Sequence, residues 1–329
     1  MDDLDRRLVA ALQVSPRASW GEIGRAVGEH ERTVARRLQR LIADGAVQVT
    51  AIYDDLRSGH GHPVHLHVLV RPGSADEVAQ ALAVRQDTRS VYSVTGAADL
   101  GCELVAPSRD ALHDILTAEI TGIDGVTQTQ TQVVLHTFRT VAEWHAPFLD
   151  DAEVAELRPP GPAEPLPDQD GLSPLEVEVA ELLAADGRIG FTSIAEKLDV
   201  SLPTARRRVA SLLERRLVLL RAEVEPALLG LEVEAQLWLR VRPHGLDLVG
   251  ERLAAHPGVR YCAATSGTYT MIVQVAAAHE ADLYRFLTGV VGPLDDVTDV
   301  NVTLITRAYK RGHLRKSGLL TLEYTNDPR

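Results

Sequence analysis

The 329-residue sequence predicts an α+β protein made of two copies of one unit. Each copy is expected to be a winged or three-helix helix-turn-helix domain followed by a ferredoxin-like βαββαβ domain. Three observations predict this fold. The two halves align at a constant offset, the first part of each half has helical apolar spacing, and the second part has the alternation typical of strands.

The internal repeat has an unbroken register. The matched pairs include Leu12 with Leu183, Arg17 with Arg188, Thr33 with Thr204, Arg36 with Arg207, and Gly96 with Gly267. The offset is constant, since 188 − 17 and 267 − 96 both equal 171. Because apolar, glycine and arginine positions all keep this register, we interpret the chain as a tandem duplication.

Residues 1–55 predict the first helix-turn-helix domain, with a second helix near 20–27 and a third from about Glu31. The apolar stripe of the third helix is Val34, Leu38 and Leu41. The remaining faces are rich in arginine, whose planar fork can bond phosphate oxygens or guanine edges in pairs. The candidate DNA-binding residues are Arg32, Thr33, Arg36, Arg37 and Arg40.

Residues 172–226 repeat this plan. Ser173 predicts an N-cap, Pro174 the first helical position and Glu176 the acid of a capping box. Trp20 and its counterpart Phe191 are predicted to be core residues of the second helices. The candidate DNA-binding residues of this copy are Thr204, Arg206, Arg207 and Arg208. Pro203 and Ser211 replace Arg32 and Arg40, so we expect weaker binding or a different half-site.

Residues 62–140 and 232–311 predict the two ferredoxin-like sensing domains. In the first, strands are expected at 64–70, 90–95, 99–105 and 127–137, with helices at 75–84 and 108–120. Both helices then cover one face of the sheet, so the other face must also be covered, and pairing two such sheets, within the chain or between chains, is the economical solution. A ligand pocket is expected where sensing domains meet. Residues 149–171 are acidic and rich in proline, and they predict an extended linker.

Composition restricts the class of protein and its location. The formal net charge is −12, but arginine is concentrated at 32–40 and 206–216, so local basic patches remain compatible with DNA binding. The acidic N-terminus does not resemble a signal peptide, and no apolar run approaches the roughly 20 residues of a membrane span, which predicts a cytoplasmic protein. Four histidines between His60 and His67 have no cysteine or carboxylate nearby to complete a metal shell, so no metal or cofactor is predicted.

Three motifs resemble the Lrp/AsnC family of transcriptional regulators. They are Leu4-Asp5, the run from Arg36 to Gly45, and Val94-Thr95-Gly96-Ala97-Ala98-Asp99. The resemblance implies that the third helix reads DNA and that an amino acid or related metabolite binds where sensing domains meet. The effector-binding residues that it implies are Thr95, Gly96 and Asp99 in the first copy, with Gly267 and Thr270 in the second. Because Thr270 replaces Asp99, the two pockets are expected to be unequal.

We therefore predict a DNA-binding transcriptional regulator without enzymatic activity. Its expected partners are double-stranded DNA and a small-molecule effector, with no membrane. The two copies are expected to pair within one chain, and the sensing domains to mediate homo-oligomer formation. Two alternatives are a sirohaem decarboxylase-like enzyme of the same architecture and a small-molecule-binding module that does not bind DNA. The enzyme needs basic and aromatic residues around a tetrapyrrole, whereas the chain is 4% aromatic and residues 94–105 contain neither histidine nor arginine.

Overall fold

The computed structural model describes residues 1–59, 61–158, 171–318 and 320–324. They fall into two compact units, Met1–His60 with His145–Val224, and Gly61–Trp144 with Glu225–Arg329. One unit thus holds the helix-turn-helix parts of both copies, and the other holds both sensing parts. The five segments expected from the sequence stay predictions as domain boundaries, because each compact unit combines corresponding parts of the two copies.

The first half of the chain alternates helices and strands in the expected order. Its elements are α1 Asp3–Val14, α2 Trp20–Val27, α3 Glu31–Ala43, β1 Gln48–Tyr53, α4 Asp55–Ser58, β2 His62–Val70, α5 Ala75–Ala83, β3 Thr88–Val94, β4 Leu100–Ala106, α6 Arg109–Asp114 and β5 Val126–Arg139. A π-helical turn at Ile115–Glu119 continues α6.

The second half repeats this order. Its elements are α7 Asp151–Leu157, α8 Pro174–Ala185, α9 Phe191–Lys197, α10 Leu202–Glu214, β6 Val218–Glu223, β7 Val233–Val241, α11 Leu246–Ala254, β8 Val259–Thr265, β9 Met271–Ala277, α12 Glu280–Phe286, β10 Val297–Arg311, β11 Leu314–Ser317 and β12 Leu320–Tyr324. Short 3-10 turns occupy Pro226–Leu229 and Pro243–Gly245, and a π-helical turn at Leu287–Val291 continues α12.

Local sequence signals explain where the helices begin and end. Ser19 caps α2 in a capping box with Glu22, and the helix ends at Gly28, whose φ of 73° is accessible to glycine at little cost. The capping box predicted for α8 is confirmed, with Ser173 paired to Glu176 and Pro174 in the first turn. These signals act over three or four residues, so they can be identified in the sequence alone.

A two-stranded antiparallel ribbon connects the two copies within the helix-turn-helix unit. In this ribbon, β1 of the first copy pairs with β6 of the second. The register runs from Gln48 opposite Glu223 to Tyr53 opposite Val218. In the second copy, α8, α9 and α10 enclose an apolar cluster that includes Leu183, Ile194 and Leu212. The strand after each three-helix set thus serves as a connection between the copies.

The sensing unit contains a four-stranded sheet from each copy, and the two are joined into a continuous ten-stranded sheet because the last strand of each copy also pairs with a strand of the other. β5 pairs with β2 over Val126–Val133 and continues onto β8, while β10 pairs with β7 and continues onto β3. One face of each sheet packs on its own helices, in clusters centred on Leu66 and Leu237. The antiparallel βαββαβ order predicted for both copies is therefore present, and two strands are long enough to join the copies.

The segment predicted as a linker is partly helical. Asp150 and Glu153 form a capping box at the start of α7, and Leu157 at its end is buried. The prediction of an extended chain over 149–171 is wrong for this part, because a short helix can bury an apolar side chain that the linker composition does not reveal. Residues 159–170 of the predicted linker lie outside the described residues. β11 and β12 also extend the sheet beyond the predicted end at residue 311.

Candidate nucleic-acid interface and effector site

The third helix of each copy presents arginine on its exposed side. In α3, Val34, Leu38 and Leu41 are buried, while Arg32 and Arg36 are exposed. In α10, Ala205, Val209 and Leu212 are buried, while Arg206 and Arg207 are exposed. Thr33 and Thr204 are half-buried at the start of the same faces. The charged rows that the apolar spacing predicts are therefore available to an external partner.

Arg37 and Arg40 are instead engaged by carboxylates near the start of α1. Arg37 Nη1 lies 2.7 Å from Asp2 Oδ2 and 2.8 Å from Asp5 Oδ1. Arg40 Nη2 lies 2.8 Å from the other oxygen of Asp5, a residue that is almost fully buried. The hydrogen bonds from the Asp5 N–H and from Arg37 hold the pKa of Asp2 below its usual value. These ion pairs fasten α3 to α1.

The second copy repeats this helix-to-helix ion pair. Glu176 stands at the position of Asp5 and Arg208 at that of Arg37, since 176 − 5 and 208 − 37 both equal 171. Arg208 Nη1 lies 3.6 Å from Glu176 Oε1, and Arg215 Nη1 lies 3.0 Å from the same oxygen. Arg37 and Arg208 therefore contribute to the contact between the first and third helices, and their DNA contacts stay a prediction. An acid and an arginine repeating in register were the sequence signal for this helix contact. The side chain of Arg40 is 51% exposed, so Arg40 keeps an outward-facing part.

Two equivalent arginines, Arg17 and Arg188, form hydrogen bonds between the helix-turn-helix domains of the two copies. Arg17 donates to the carbonyl oxygens of Gly187 and Ile189, at 2.8 and 2.9 Å. Arg188 donates to the carbonyl oxygens of Pro16 and Ala18, at 2.7 and 2.9 Å. Burial lowers the pKa of both arginines, but the guanidinium group stays charged at neutral pH. Each copy thus satisfies backbone carbonyls in the turn between the first two helices of the other.

The same arginines stack on the aromatic residues of the opposite copy. The Arg188 guanidinium lies 4.0 Å from the centre of the Trp20 ring, and that of Arg17 lies 4.9 Å from the centre of the Phe191 ring. Both rings are half-buried beneath an arginine of the other copy, so neither is a fully buried core residue, although Phe191 also packs against the apolar cluster of its own copy, as predicted. A contact in which each side repeats the other is the signature of a two-fold interface. The single chain therefore pairs its helix-turn-helix domains as a symmetric dimer would.

The proposed effector motif forms the tip of the β3–β4 hairpin. Gly96 has a φ of 93°, which favours glycine. Thr95 Oγ1 accepts a hydrogen bond from the Leu304 N–H at 2.9 Å, and Asp99 Oδ2 accepts one from the Val70 N–H at 2.9 Å. Both polar side chains therefore bond to backbone of neighbouring strands.

The second copy uses different residues for the same contacts. Gly267 has a φ of 95°, and Ser266 Oγ accepts from the Val133 N–H at 2.9 Å. Thr270 Oγ1 accepts from the Val241 N–H at 3.0 Å and donates to the Val241 carbonyl at 3.1 Å. Thr270 thus ties the hairpin to the adjacent strand as Asp99 does. In both copies the hairpin motif therefore has a structural role. The first copy differs from the second in its exposed carboxylate, that of Asp99.

Neither a metal centre nor a membrane span is found in the described part of the chain. Its histidine, cysteine, aspartate and glutamate side chains form no group of three or more suited to a metal ion. Its helices also lack the length and apolar character needed to cross a bilayer.

Family models match both halves of the chain. The AsnC-type helix-turn-helix domain matches residues 1–42, and a winged helix-turn-helix DNA-binding domain matches residues 176–218. The Lrp/AsnC ligand binding domain matches twice, at residues 64–142 and 234–314.

Known relatives have the length of a single copy. The transcriptional regulator FL11 of Pyrococcus horikoshii is 30% identical over 144 residues, which cover 44% of this chain and 95% of FL11. The regulator Ptr1 of Methanocaldococcus jannaschii is 28% identical over 142 residues, covering 43% of this chain and 96% of Ptr1. Among solved structures, the sirohaem decarboxylase NirDL aligns over 94% of this chain and 93% of its own with a TM-score of 0.61. Its sequence identity is 15%, so this likeness concerns the fold alone. The chain belongs to the Lrp/AsnC family and carries the family's two-domain unit twice.

Proposed function

We propose that the protein is a cytoplasmic transcriptional regulator that binds double-stranded DNA and responds to a small-molecule effector, an amino acid or a related metabolite. The observation that carries the proposal is the presence of two arginine-bearing third helices, α3 and α10, on one pseudo-symmetric unit. Helix-turn-helix dimers read two half-sites about one DNA turn, or roughly 34 Å, apart. One chain could contact both half-sites without forming a dimer.

The two half-sites are proposed to differ in sequence. Arg32 and Arg40 have no counterpart in α10, where Pro203 and Ser211 occupy the equivalent positions. The proposed contact set is therefore Arg32, Thr33, Arg36, Arg37 and Arg40 in the first copy, with Thr204, Arg206, Arg207 and Arg208 in the second. An asymmetric operator fits this surface better than a perfect palindrome, because each copy offers different donors to the base edges.

The proposal is tested by fluorescence anisotropy with duplexes from the region upstream of the gene, at several salt concentrations. We expect the logarithm of affinity to fall linearly with the logarithm of salt, by about 0.9 for each phosphate contact. An amino acid that changes the midpoint or the steepness of the DNA-binding isotherm would be identified as the effector. If no duplex were bound with salt-dependent affinity, the DNA-binding role would be rejected.

The effector is proposed to bind near the β3–β4 hairpin, where Asp99 keeps an exposed carboxylate that could pair with an ammonium group. For an effector identified as above, Asp99→Ala should weaken calorimetric affinity by about tenfold or more, since charge-assisted hydrogen bonds contribute roughly 1.5–3 kcal/mol. Thr270→Ala is the matched control, because it removes the equivalent hairpin contact without removing a charge. Equal affinities of wild type and Asp99→Ala would exclude Asp99 from the site.

We assign the protein no enzymatic activity. The likeness to sirohaem decarboxylase extends to architecture only, and the described hairpin residues 94–105 offer neither histidine nor arginine to an anionic tetrapyrrole. Self-association of the sensing domains into a homo-oligomer is part of the proposal. Analytical ultracentrifugation of the full chain would measure it.

A further inference from the structure

A buried polar layer lies between the two sheets of the sensing unit, on the faces opposite their helices. His65 and His67 of β2 contact Trp238 of β7, with ring centres 5.9 and 4.4 Å apart. The ring of Tyr261 on β8 is also close, with its centre 5.6 Å from that of His65. Residues 64, 66 and 68 of β2 face the helix-covered core, so alternation along the strand turns the two histidines toward the other sheet.

Glutamines from both sheets complete this layer, and Gln274 of β9, opposite Gln236 in register, is buried as well. Gln132 lies directly opposite His65 in the register of β5 with β2. Gln236 precedes Trp238 by two residues on β7, so both side chains lie on the same face. Gln236 Oε1 also lies beside Gly101, a residue in register with His67, so that a side chain at position 101 would come within 3.4 Å of it. The histidines, the tryptophan and the amides therefore form one continuous layer.

Several polar atoms in the layer have no hydrogen-bond partner among the described residues. They are His67 Nε2, both amide atoms of Gln132, Gln236 Oε1 and Trp238 Nε1. Gln132, Gln236 and Trp238 are 1%, 3% and 1% exposed, so bulk water does not reach them. An inter-sheet contact is ordinarily apolar, and this one places hydrogen-bonding groups from both copies against each other.

The free-energy cost of leaving these polar atoms unpaired is too large for a stable fold. A buried polar group without a partner costs about 1–3 kcal/mol, so five such atoms would cost on the order of 5–15 kcal/mol. That equals the whole folding free energy of a typical domain, about 5–15 kcal/mol. Because buried polar groups in folded proteins are almost always hydrogen-bonded, to protein or to ordered water, the unpaired atoms point to a molecule held within the layer.

The charge of the layer restricts that molecule. The full charges on these faces are paired with one another: Glu103, in register with His65, lies 3.5 Å from the guanidinium of Arg89. Glu234, two residues before Gln236 on β7, forms an ion pair with the buried Arg260. Burial lowers the pKa of His65 and, together with the neighbouring His65, lowers the pKa of His67 to about 4. Both histidines are therefore neutral at pH 7. A charged ligand would lose its hydration without gaining a partner of opposite charge.

We propose that the polar layer is a binding site for a small uncharged molecule that carries both a carbonyl-type acceptor and an N–H donor, as a carboxamide does. The acceptor would receive hydrogen bonds from Trp238 Nε1 and the Gln132 amide nitrogen. The donor would bond to the amide oxygens of Gln132 and Gln236. The site lies between the copies rather than at the hairpin tips, and it does not depend on DNA binding.

Acetamide is a suitable probe, titrated into the full chain with indole ¹⁵N as the NMR label. The chain has three tryptophans, and the Trp238 signal is assigned by its loss in Trp238→Phe. We expect a saturable downfield shift of the Trp238 N–H signal. The Trp144 signal is an internal control and should not move, because its N–H already donates to the Pro257 carbonyl at 2.8 Å.

Two comparisons make the test specific. N,N-dimethylacetamide keeps the carbonyl but has no N–H donor, so it should bind about tenfold more weakly, and this comparison needs no variant. Gln236→Met should weaken acetamide binding by about as much, whereas His113→Gln, an exposed position, should leave it unchanged. Equal affinities for both probes would overturn the proposal. So would Overhauser contacts from the Trp238 N–H to long-lived water without any response to acetamide, which would assign the layer to internal water alone.

Discussion

Replacing both Arg36 and Arg207 by glutamine is expected to weaken operator binding by about 2–6 kcal/mol if each guanidinium reads a base edge. This value follows from roughly 1–3 kcal/mol for each bidentate contact with guanine. Both side chains are exposed at equivalent positions of α3 and α10, so their loss should leave the fold intact. Anisotropy titrations at fixed salt measure the loss, and each single variant should account for about half of it.

The salt dependence separates base contacts from phosphate contacts. If the two arginines bond phosphate, the slope of log affinity against log salt should decrease by about 1 for each residue, and binding should weaken equally on all sequences. Arg109→Gln with Arg252→Gln is the matched control, since it removes two exposed arginines from the sensing unit. Unchanged affinity and slope in the Arg36 and Arg207 double variant would exclude both residues from the interface.

Arg17→Ala is expected to destabilise the helix-turn-helix unit by about 3–6 kcal/mol. The substitution removes two charge-assisted hydrogen bonds, each contributing roughly 1.5–3 kcal/mol, and leaves the Gly187 and Ile189 carbonyls without these donors. Arg17→Lys should lose most of the same stability, because an ammonium group lacks the planar fork that reaches two carbonyls and stacks on Phe191. Urea unfolding followed by circular dichroism measures both variants.

The equivalent substitution in the other copy tests whether the contact is one cooperative interface. Arg188→Ala should cost a similar amount, and the double variant should cost less than the sum, since breaking one side of a shared contact weakens the other. Both variants should also lose DNA affinity while retaining Arg36 and Arg207, because the spacing of α3 and α10 would no longer be fixed. If each single variant lost less than about 0.5 kcal/mol of unfolding free energy, as at ordinary surface sites, the stabilising role of these arginine contacts would be contradicted.

The local elements could be predicted from the sequence because their causes lie close together along the chain. The capping box of Ser173 and Glu176 spans three residues, and the apolar stripe of α3 repeats every three or four. The constant offset between the copies then extended each local prediction to both halves. For the same reason the exposed positions of Arg36 and Arg207 followed from spacing alone.

Only the tertiary structure decided which of the repeated polar residues face a partner and which hold the protein together. Arg17 and Arg37 look alike in the sequence, yet one bonds carbonyls of the other copy and the other bonds Asp5 on a neighbouring helix. The long strands β5 and β10 were predicted as strands, but their continuation onto the other copy depends on contacts more than 120 residues away, such as Val134 with Thr265. Periodicity is fixed by neighbours along the chain, whereas the partner of a charged or edge group is fixed by which surfaces meet after folding.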